Sequence, residues 1–338
     1  MLDEAQQVKN HQGKTYQAVR SLDVPFRLAL TGTPFENRLV ELWSLLSVVA
    51  PGLYPRPDRF RETVATPVER YGDQAALARF RARIRPFLLR RTKSLVAADL
   101  PPKQEQVLEV TLGARHRRVY DSHLQRERQL ILGLAEDFGR NQVAIFSALT
   151  RLRLLSLDAG LVDPEHDALG SAKIDALVEH LHEMAAEGHR ALVFSQFTRF
   201  LGRVRERLQA EGLDTVYLDG TTRDRPAVVT EFREGTAPVF LISLKAGGVG
   251  LTLTEADYVF VLDPWWNPAV EAQAIDRTHR IGQQRPVMVY RLVAADTIEQ
   301  KVMELKARKA ALFQRVVDGD GAMSSAVTAA DVRALFGG

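Results

Sequence analysis

The sequence predicts an α/β protein built on parallel β-sheets with helices on both faces, and the pattern of its second half leads to that prediction. Short, almost continuous apolar runs recur at 191–197, 214–220, 239–243, 257–263 and 287–293. Helical segments separate most of these runs. An unbroken apolar run is typical of a strand buried on both faces, and its alternation with helices favours a parallel sheet.

Length and composition limit the class of protein. A chain of 338 residues with 46% hydrophobic content can form two domains, each with its own core. The absence of cysteine excludes disulfides and thiolate zinc sites and fits a reducing compartment, so we expect a cytoplasmic protein. The sequence shows no membrane-span or signal-peptide pattern. The net charge is only +3, but most of the 45 basic residues are arginine, which suits bidentate phosphate contacts.

The stretch 241–283 carries the densest set of functional signals. The Gly-rich sequence AGGVGLTL precedes a buried strand ending at Asp263, and WWNP then leads into a helix bearing Gln273, Arg277 and Arg280. Two arginines three residues apart, with a glutamine four residues before the first, are predicted to share one helix face. A permanently charged guanidinium fork suits phosphate. A solvated basic helix is the simpler interpretation of such a helix alone, but the preceding turn and strand favour a phosphate site.

These segments resemble a known family. AGGVGLTL resembles motif V, and QAIDRTHRIGQ motif VI, of the C-terminal motor lobe of the SNF2 family, within the superfamily 2 helicase-like ATPases. The resemblance implies RecA-like lobes, ATP and Mg²⁺ as cofactors, and double-stranded DNA as partner, tracked along its backbone without sequence preference. It implies that Arg277 and Arg280 reach the γ-phosphate of ATP and that Gln273 helps to order the same surface. It also assigns nucleotide or coupling roles to Gly248, Gly250 and Asp276, while Thr252 stands where the family commonly has asparagine.

Two further motifs lie near the N-terminus. The sequence LDEAQ at 2–6 resembles the DEAH-type motif II, and FRLALTGTPFEN resembles motif III at the family's usual spacing. In these roles Asp3 would hold Mg²⁺ through its water shell, and Glu4 would orient or activate the attacking water. An acidic pair of this kind is more often simply solvated, but the order of the two motifs favours the functional interpretation. The coupling residues implied by motif III are Thr31, Gly32 and Thr33.

A phosphate-binding P-loop is not found. The GKT at 13–15 does not qualify, because Val8 stands five residues before Gly13 where the motif needs glycine, and residues 5–20 look helical. We therefore expect the chain to begin partway through the first lobe, as a fragment, a mis-called start or a natural split. Two hypotheses follow: an ATP-driven DNA translocase, or a non-catalytic DNA-binding or complementing module that does not hydrolyse ATP alone.

DNA contacts are predicted from basic and polar segments. Residues 38–98 carry proline-broken helical patterning and end in the basic run RFRARIRPFLLRRTKSLV. A solvated helix face is the usual interpretation of such a run, but PFLLRRTK resembles the family's helical protrusion, and FSQF at 194–197 resembles motif IV. Stacking on bases is one use for the tryptophans of WWNP, and apolar anchoring of their loop is the other. The candidate DNA contacts are Arg90, Arg91, Lys93, Ser195, Gln196, Lys245 and Trp266.

The resemblance covers nearly the whole chain and implies its division. RNA polymerase or another DNA-bound protein is a second possible partner, and a bacterial, nucleoid-associated protein is the expected setting. The predicted regions are a partial RecA-like lobe at 1–110 with a helical protrusion at about 40–98, a second protrusion and linker at 111–170, a complete RecA-like lobe at 171–317 with a brace helix at 297–317, and a tail at 318–338.

Overall fold

The computed structural model describes residues 1–32, 38–89, 91, 97, 99–134, 138–246, 252–264 and 268–304. Described residues before 97 belong to one compact unit, and those from 97 onward belong to a second. The predicted boundary at 110 is therefore wrong, because the strand at 103–110 joins the sheet of the second unit. Of the predicted brace helix, residues 298–304 are helical, while its remainder and the tail at 318–338 lie outside the described residues.

The second unit is organised around one parallel sheet. Its six strands lie in the order β1-β6-β5-β2-β4-β3, and all five pairings are parallel. The predicted α/β class with a parallel sheet is thus confirmed. The strands are β1 (Lys103–Val110), β2 (Ala191–Ser195), β3 (Thr215–Leu218), β4 (Val239–Ser243), β5 (Tyr258–Val261) and β6 (Val287–Ala294).

The central strands are buried on both faces because helices cover each side. Along β2, Val193 points into one apolar cluster, whereas Leu192 and Phe194 point into the other, as the two-residue period of a strand requires. The first cluster takes side chains from α8 (Ala172–Ala186) and α9 (Thr198–Ala210). The second takes them from α10 (Arg225–Glu234) and α11 (Pro268–Ile275). This layering explains the unbroken apolar runs in the sequence.

Two long helices precede α8. They are α6 (Ala114–Leu134) and α7 (Phe138–Leu157), and they lie within the region predicted as a second protrusion and linker at 111–170. Ser171 starts α8 as its N-cap, with its hydroxyl accepting a hydrogen bond from the backbone of Ile174 at 3.3 Å. Among the described residues, no helix is both long and apolar enough to cross a membrane.

The first unit is mainly helical. An apolar core formed by Leu39, Trp43, Phe60 and Phe80 joins its helices. Pro57 and Pro67 lie in the first turns of two of these helices, where a missing N–H costs little. The helices are α1 (Lys14–Arg20), α2 (Leu39–Val49), α3 (Pro57–Phe60), α4 (Thr66–Tyr71) and α5 (Gln74–Ile84), with a π-helical turn at Arg61–Ala65.

A short parallel bridge completes the first unit. Leu2 pairs with Ala29, and its backbone bonds to Leu28 and Leu30 at 2.7 and 2.8 Å. Ala29 packs inward, whereas Phe26, Leu28 and Leu30 point outward and are 77%, 43% and 42% exposed. These three side chains therefore form an apolar face that is exposed to solvent, on the side of this segment opposite Ala29.

Charge pairing secures the edge strand β1, most of whose side chains are exposed. Glu105 binds Lys103 at 2.6 Å and Arg291 of β6 at 2.7 Å, and Arg291 also binds the buried Glu271 of α11 at 2.5 Å. Partial burial alone would raise the pKa of Glu105, but the hydrogen bonds and charges of Lys103 and Arg291 outweigh it and lower that pKa to about 2.

Replacing Glu105 with glutamine should therefore reduce stability in a pH-dependent manner. Because the folded-state pKa lies below the ordinary value of 4.5 for a glutamate, the carboxylate stabilises the fold above pH 4.5 and loses this contribution as the pH falls towards 2. We expect the difference in unfolding free energy between wild type and Glu105→Gln to be constant above pH 5 and to shrink below about pH 4. Denaturant titrations across this range measure it, and a pH-independent difference would contradict the prediction.

Candidate functional site

In the first unit, the carboxyl ends of two parallel segments bring the two N-terminal motifs together. Gln6 donates its side-chain amide to Glu4 at 2.6 Å, and Thr31 donates its hydroxyl to Gln6 at 2.8 Å. The Gln6 side chain thus connects the carboxylate of the first motif to the threonine of the second. The resemblance to motif II assigns no role to Gln6, although it is the fourth residue of DEAQ. Gly32 is exposed beside this chain of bonds, and Thr33 lies outside the described residues.

The geometry at Asp3 and Glu4 is compatible with a nucleotide phosphate that carries a metal ion. Asp3 is exposed, and one of its carboxylate oxygens accepts the backbone N–H of Glu4 at 2.9 Å. Glu4 has φ 49°, a left-handed conformation that is uncommon outside glycine and often marks a functional turn. Among the described residues, no group of three acidic or histidine side chains could hold a metal alone. These residues fit a Mg²⁺ ion that keeps its waters and is carried by nucleotide phosphates.

In the second unit, the predicted helix after WWNP is shorter than expected. α11 ends at Ile275, and residues 276–280 form successive turns. The carbonyl of Arg277 accepts the N–H of Leu253 at 3.0 Å, and the carbonyl of Thr278 accepts the side-chain amide of Gln283 at 3.3 Å. Because these carbonyls accept hydrogen bonds from Leu253 and from the side chain of Gln283, they do not continue the helical ladder, and the helix stops.

The two motif arginines consequently do not share one helix face, and that prediction is wrong. Arg277 is 5% exposed, whereas Arg280 is exposed and donates to the hydroxyl of Thr252 at 3.1 Å. Thr252 therefore acts as an acceptor for Arg280, a role that the shorter side chain can fill where the family commonly has asparagine. Gln273 and Asp276 are half-buried on the same segment.

A buried glutamine ties this segment to the stretch at 252–256. The side-chain amide of Gln283 donates to the carbonyls of Ala256, Thr254 and Thr278 at 2.8, 3.2 and 3.3 Å. Its carbonyl oxygen accepts the next two backbone N–H groups, both at 2.9 Å. Gln283 is the last residue of QAIDRTHRIGQ, so the motif itself marked the position, but sequence analysis gave it no role. Its bonds hold the turn that carries Arg277 and Arg280.

The carboxyl ends of β2 and β5 form a second polar cluster. Ser195 is fully buried, donates to the carboxylate of Asp263 and accepts the N–H of Phe197 at 3.0 Å. The prediction that Ser195 contacts DNA is therefore wrong, because no atom of the side chain reaches solvent. Gln196 is half-buried at this edge, and Lys245 is exposed just beyond β4. Asp263, which ended the predicted strand, had received no functional role.

The remaining predicted residues divide into two groups. Arg91 is exposed in the first unit. The other predicted DNA contacts Arg90, Lys93 and Trp266, and the predicted glycines Gly248 and Gly250, lie outside the described residues. His279, which sits between the motif arginines, hydrogen-bonds to the carbonyl of Pro101 at 2.8 Å.

Comparisons with known proteins agree with this arrangement. Residues 1–160 match the model of the SNF2-related domain, and residues 172–282 match that of the helicase conserved C-terminal domain. The SWI2/SNF2 ATPase core of Sulfolobus solfataricus, solved in complex with double-stranded DNA, is 30% identical, with a TM-score of 0.55 over 98% of this chain and 71% of that one. The chain belongs to the SNF2 family.

Longer SNF2-family relatives show how much of such a protein this chain represents. An uncharacterized ATP-dependent helicase of Mycoplasma pneumoniae is 33% identical over 99% of this chain and 32% of its own length. The human SWI/SNF-related matrix-associated actin-dependent regulator of chromatin subfamily A member 1 is 34% identical over 90% of this chain and 30% of its own length. The chain thus spans about a third of the length of these relatives.

Removing the side chain of Gln283 should destabilise the turn that carries the motif arginines. Gln283→Ala leaves the buried carbonyl of Ala256 without its donor, which should cost about 1–3 kcal/mol of unfolding free energy. Gln284→Ala is the matched control, since the neighbouring glutamine is exposed, and it should change stability by less than about 0.5 kcal/mol. Chemical denaturation of both variants measures the difference. Equal stabilities of the two variants would show that the hydrogen bonds of Gln283 do not stabilise the fold.

Proposed function

We propose that this chain is the part of an SNF2-type motor that engages duplex DNA by its backbone and contributes groups for ATP, and that it hydrolyses little ATP alone. One observation carries the proposal: Gln283 and Thr252 join the turn bearing Arg277 and Arg280 to the segment that follows AGGVG. This junction holds the segments resembling motifs V and VI together through hydrogen bonds.

The roles of individual side chains follow from their positions. Arg280 is exposed and permanently charged, which suits stabilisation of a phosphate, while Arg277 is held in the protein interior behind it. In the first unit, Asp3 would hold Mg²⁺ through water, and Glu4 would orient the attacking water. The metal would supply charge neutralisation on the phosphates. The bonds from Glu4 through Gln6 to Thr31 would keep that carboxylate oriented.

The sequence lacks a recognisable phosphate cradle. The 338 residues contain no G-x-x-x-x-G-K-[ST] segment, whose backbone N–H groups and lysine hold the β- and γ-phosphates in P-loop enzymes. Without that cradle, affinity for the phosphates should be weak. This observation favours the second candidate function, a DNA-binding module that complements a separate phosphate-binding region.

The purified chain should accordingly show no ATP hydrolysis that duplex DNA stimulates. Phosphate release with and without duplex DNA measures this, with Arg280→Ala as the diagnostic variant and Gln284→Ala as an exposed control in the same segment. DNA-stimulated turnover that Arg280→Ala removes and Gln284→Ala retains would contradict the proposal for the isolated chain. It would show that the described groups suffice for catalysis.

DNA binding should be independent of sequence and steeply dependent on salt. Each phosphate neutralised should contribute about −0.9 to the slope of log affinity against log salt concentration. Lys245→Ala should reduce the slope by about one phosphate contact, because its ammonium is exposed at the carboxyl edge of the sheet. Arg207→Ala should leave it unchanged, because that exposed arginine is already paired with Asp175 and Glu211 at 3.2 and 2.9 Å.

Fluorescence anisotropy with two unrelated duplexes measures these slopes. The titrations cover salt concentrations from about 50 to 200 mM, over which phosphate contacts strongly affect affinity. Binding that is insensitive to salt would contradict backbone recognition and would indicate a protein partner instead.

A further inference from the structure

Asp263 lies where ligands of open parallel sheets usually bind. It follows β5 by two residues, and Ser195 ends the neighbouring strand β2. In the strand order, β3 lies to one side of the neighbouring pair β2 and β5, and β6 lies to the other. The chain therefore leaves β2 and β5 in opposite directions along the sheet. The connections diverge here, and ligands of open α/β sheets usually bind at the carboxyl ends of strands where the connections diverge.

One carboxylate organises the turn that leaves β2. Asp263 accepts the hydroxyl of Ser195, and its two oxygens lie 3.3 and 3.4 Å from the backbone N–H of Gln196. Ser195 in turn accepts the N–H of Phe197 at 3.0 Å. Three consecutive residues therefore depend, directly or through one hydroxyl, on the position of Asp263.

The charge of Asp263 is expensive to bury. Burial raises the pKa of this fully enclosed carboxyl to about 6, against the opposing effects of Arg153, the Ser195 hydrogen bond and Lys173, while Glu299 adds to the increase. These groups come from α7, β2, α8 and the helical segment at 298–304, so the buried cluster contains two cations and two anions. Apolar side chains of similar volume would fill such a space at no greater cost. A requirement for stability alone does not explain a carboxylate here.

Arg153 connects this cluster to the segment after β5. It is 3% exposed, lies 3.6 Å from Asp263 and donates to the carbonyl of Pro264 at 2.5 Å. Its guanidinium also lies 5.4 Å from the centre of the Phe197 ring. The pair formed by Asp263 and Arg153 thus fixes the segments that leave both strands relative to α7.

Gln196 is the middle residue of the Ser195–Phe197 turn. Its side-chain nitrogen is buried and has no hydrogen-bond acceptor within the described part of the chain. Buried donors are nearly always paired, and leaving one unpaired costs about 1–3 kcal/mol. Gln196 as a residue is only half-buried, so its side chain can turn outward and give this nitrogen an acceptor, such as a phosphate oxygen of the DNA backbone.

We infer that Asp263 is a positioning residue for DNA engagement, because it holds the Ser195–Phe197 turn in the place from which the side chain of Gln196 turns outward to the duplex backbone. This inference rests on the proposed DNA-binding function. Asp263 itself is fully enclosed, so it acts through this turn and not by contact with DNA.

The chain provides a matched control at the opposite end of the same two strands. Asp257 precedes β5, is 3% exposed and accepts bonds from His189 at 2.6 Å and the N–H of Arg190 at 3.3 Å, just before β2. Asp257→Asn and Asp263→Asn therefore remove the same charge from the same pair of strands. Only the second change affects the carboxyl edge.

Hydrogen–deuterium exchange of the intact chain tests the positioning role without DNA. In Asp263→Asn the N–H groups of Gln196 and Phe197 should exchange at least about tenfold faster, while Asp257→Asn leaves them unchanged. Ser195→Ala is a milder second variant and should give the same result if Asp263→Asn fails to fold. Unchanged exchange in both variants at this turn would overturn the inference.

DNA affinity tests the functional consequence through a double-mutant cycle. Asp263→Asn and Gln196→Ala should each weaken duplex binding by about tenfold, and the double variant should be no weaker than Gln196→Ala alone. Additive losses, or wild-type affinity in Asp263→Asn, would overturn the role in DNA engagement. Absence of duplex binding by the wild-type chain would instead overturn the proposed function, and the exchange experiment would still decide whether Asp263 positions the turn.

Discussion

The common direction of the six strands is the constraint on which the second unit depends. Because every strand is parallel, every carboxyl end lies at the same edge of the sheet. Ser195, Lys245 and Asp263 are far apart in sequence, yet each follows or ends a strand and so reaches that edge. Helices on both faces leave the edge as the region where loops can carry chemistry, so the position of the polar cluster follows from strand direction.

The sequence predicted the layered sheet well because burial on both faces leaves an unmistakable apolar run. It predicted the end of α11 poorly, since helical periodicity in QAIDRTHRIGQ continues past Ile275 while the backbone does not. The helix stops because Leu253 and Gln283 bind the carbonyls of Arg277 and Thr278. The bond from Leu253 comes from a distant part of the chain and leaves no local pattern. Gln6 went unassigned for a similar reason, since its role depends on Thr31, 25 residues away.

Charge burial in the second unit goes further than stability requires. The ammonium of Lys173 is fully buried and donates to Glu299 at 2.6 Å and to the carbonyls of Leu262 and Leu292 at 2.7 and 2.9 Å. Burial lowers the pKa of Lys173, and Glu299 opposes this effect. A buried ion pair contributes little net stability, but it tolerates few alternative arrangements of the segments that carry it. The ends of β5 and β6 are therefore fixed to α8 and to the segment at 298–304.

The bonds of Gln283 bear on how the sequence can change over generations. All three of its acceptors are backbone carbonyls, those of Thr254, Ala256 and Thr278. A carbonyl is present whatever the side chain, so substitutions at these three positions need no compensating change at Gln283. These bonds require a glutamine at position 283 but place no requirement on the side chains at the three acceptor positions. Methods that detect contacts from correlated substitutions would therefore miss the bonds of Gln283.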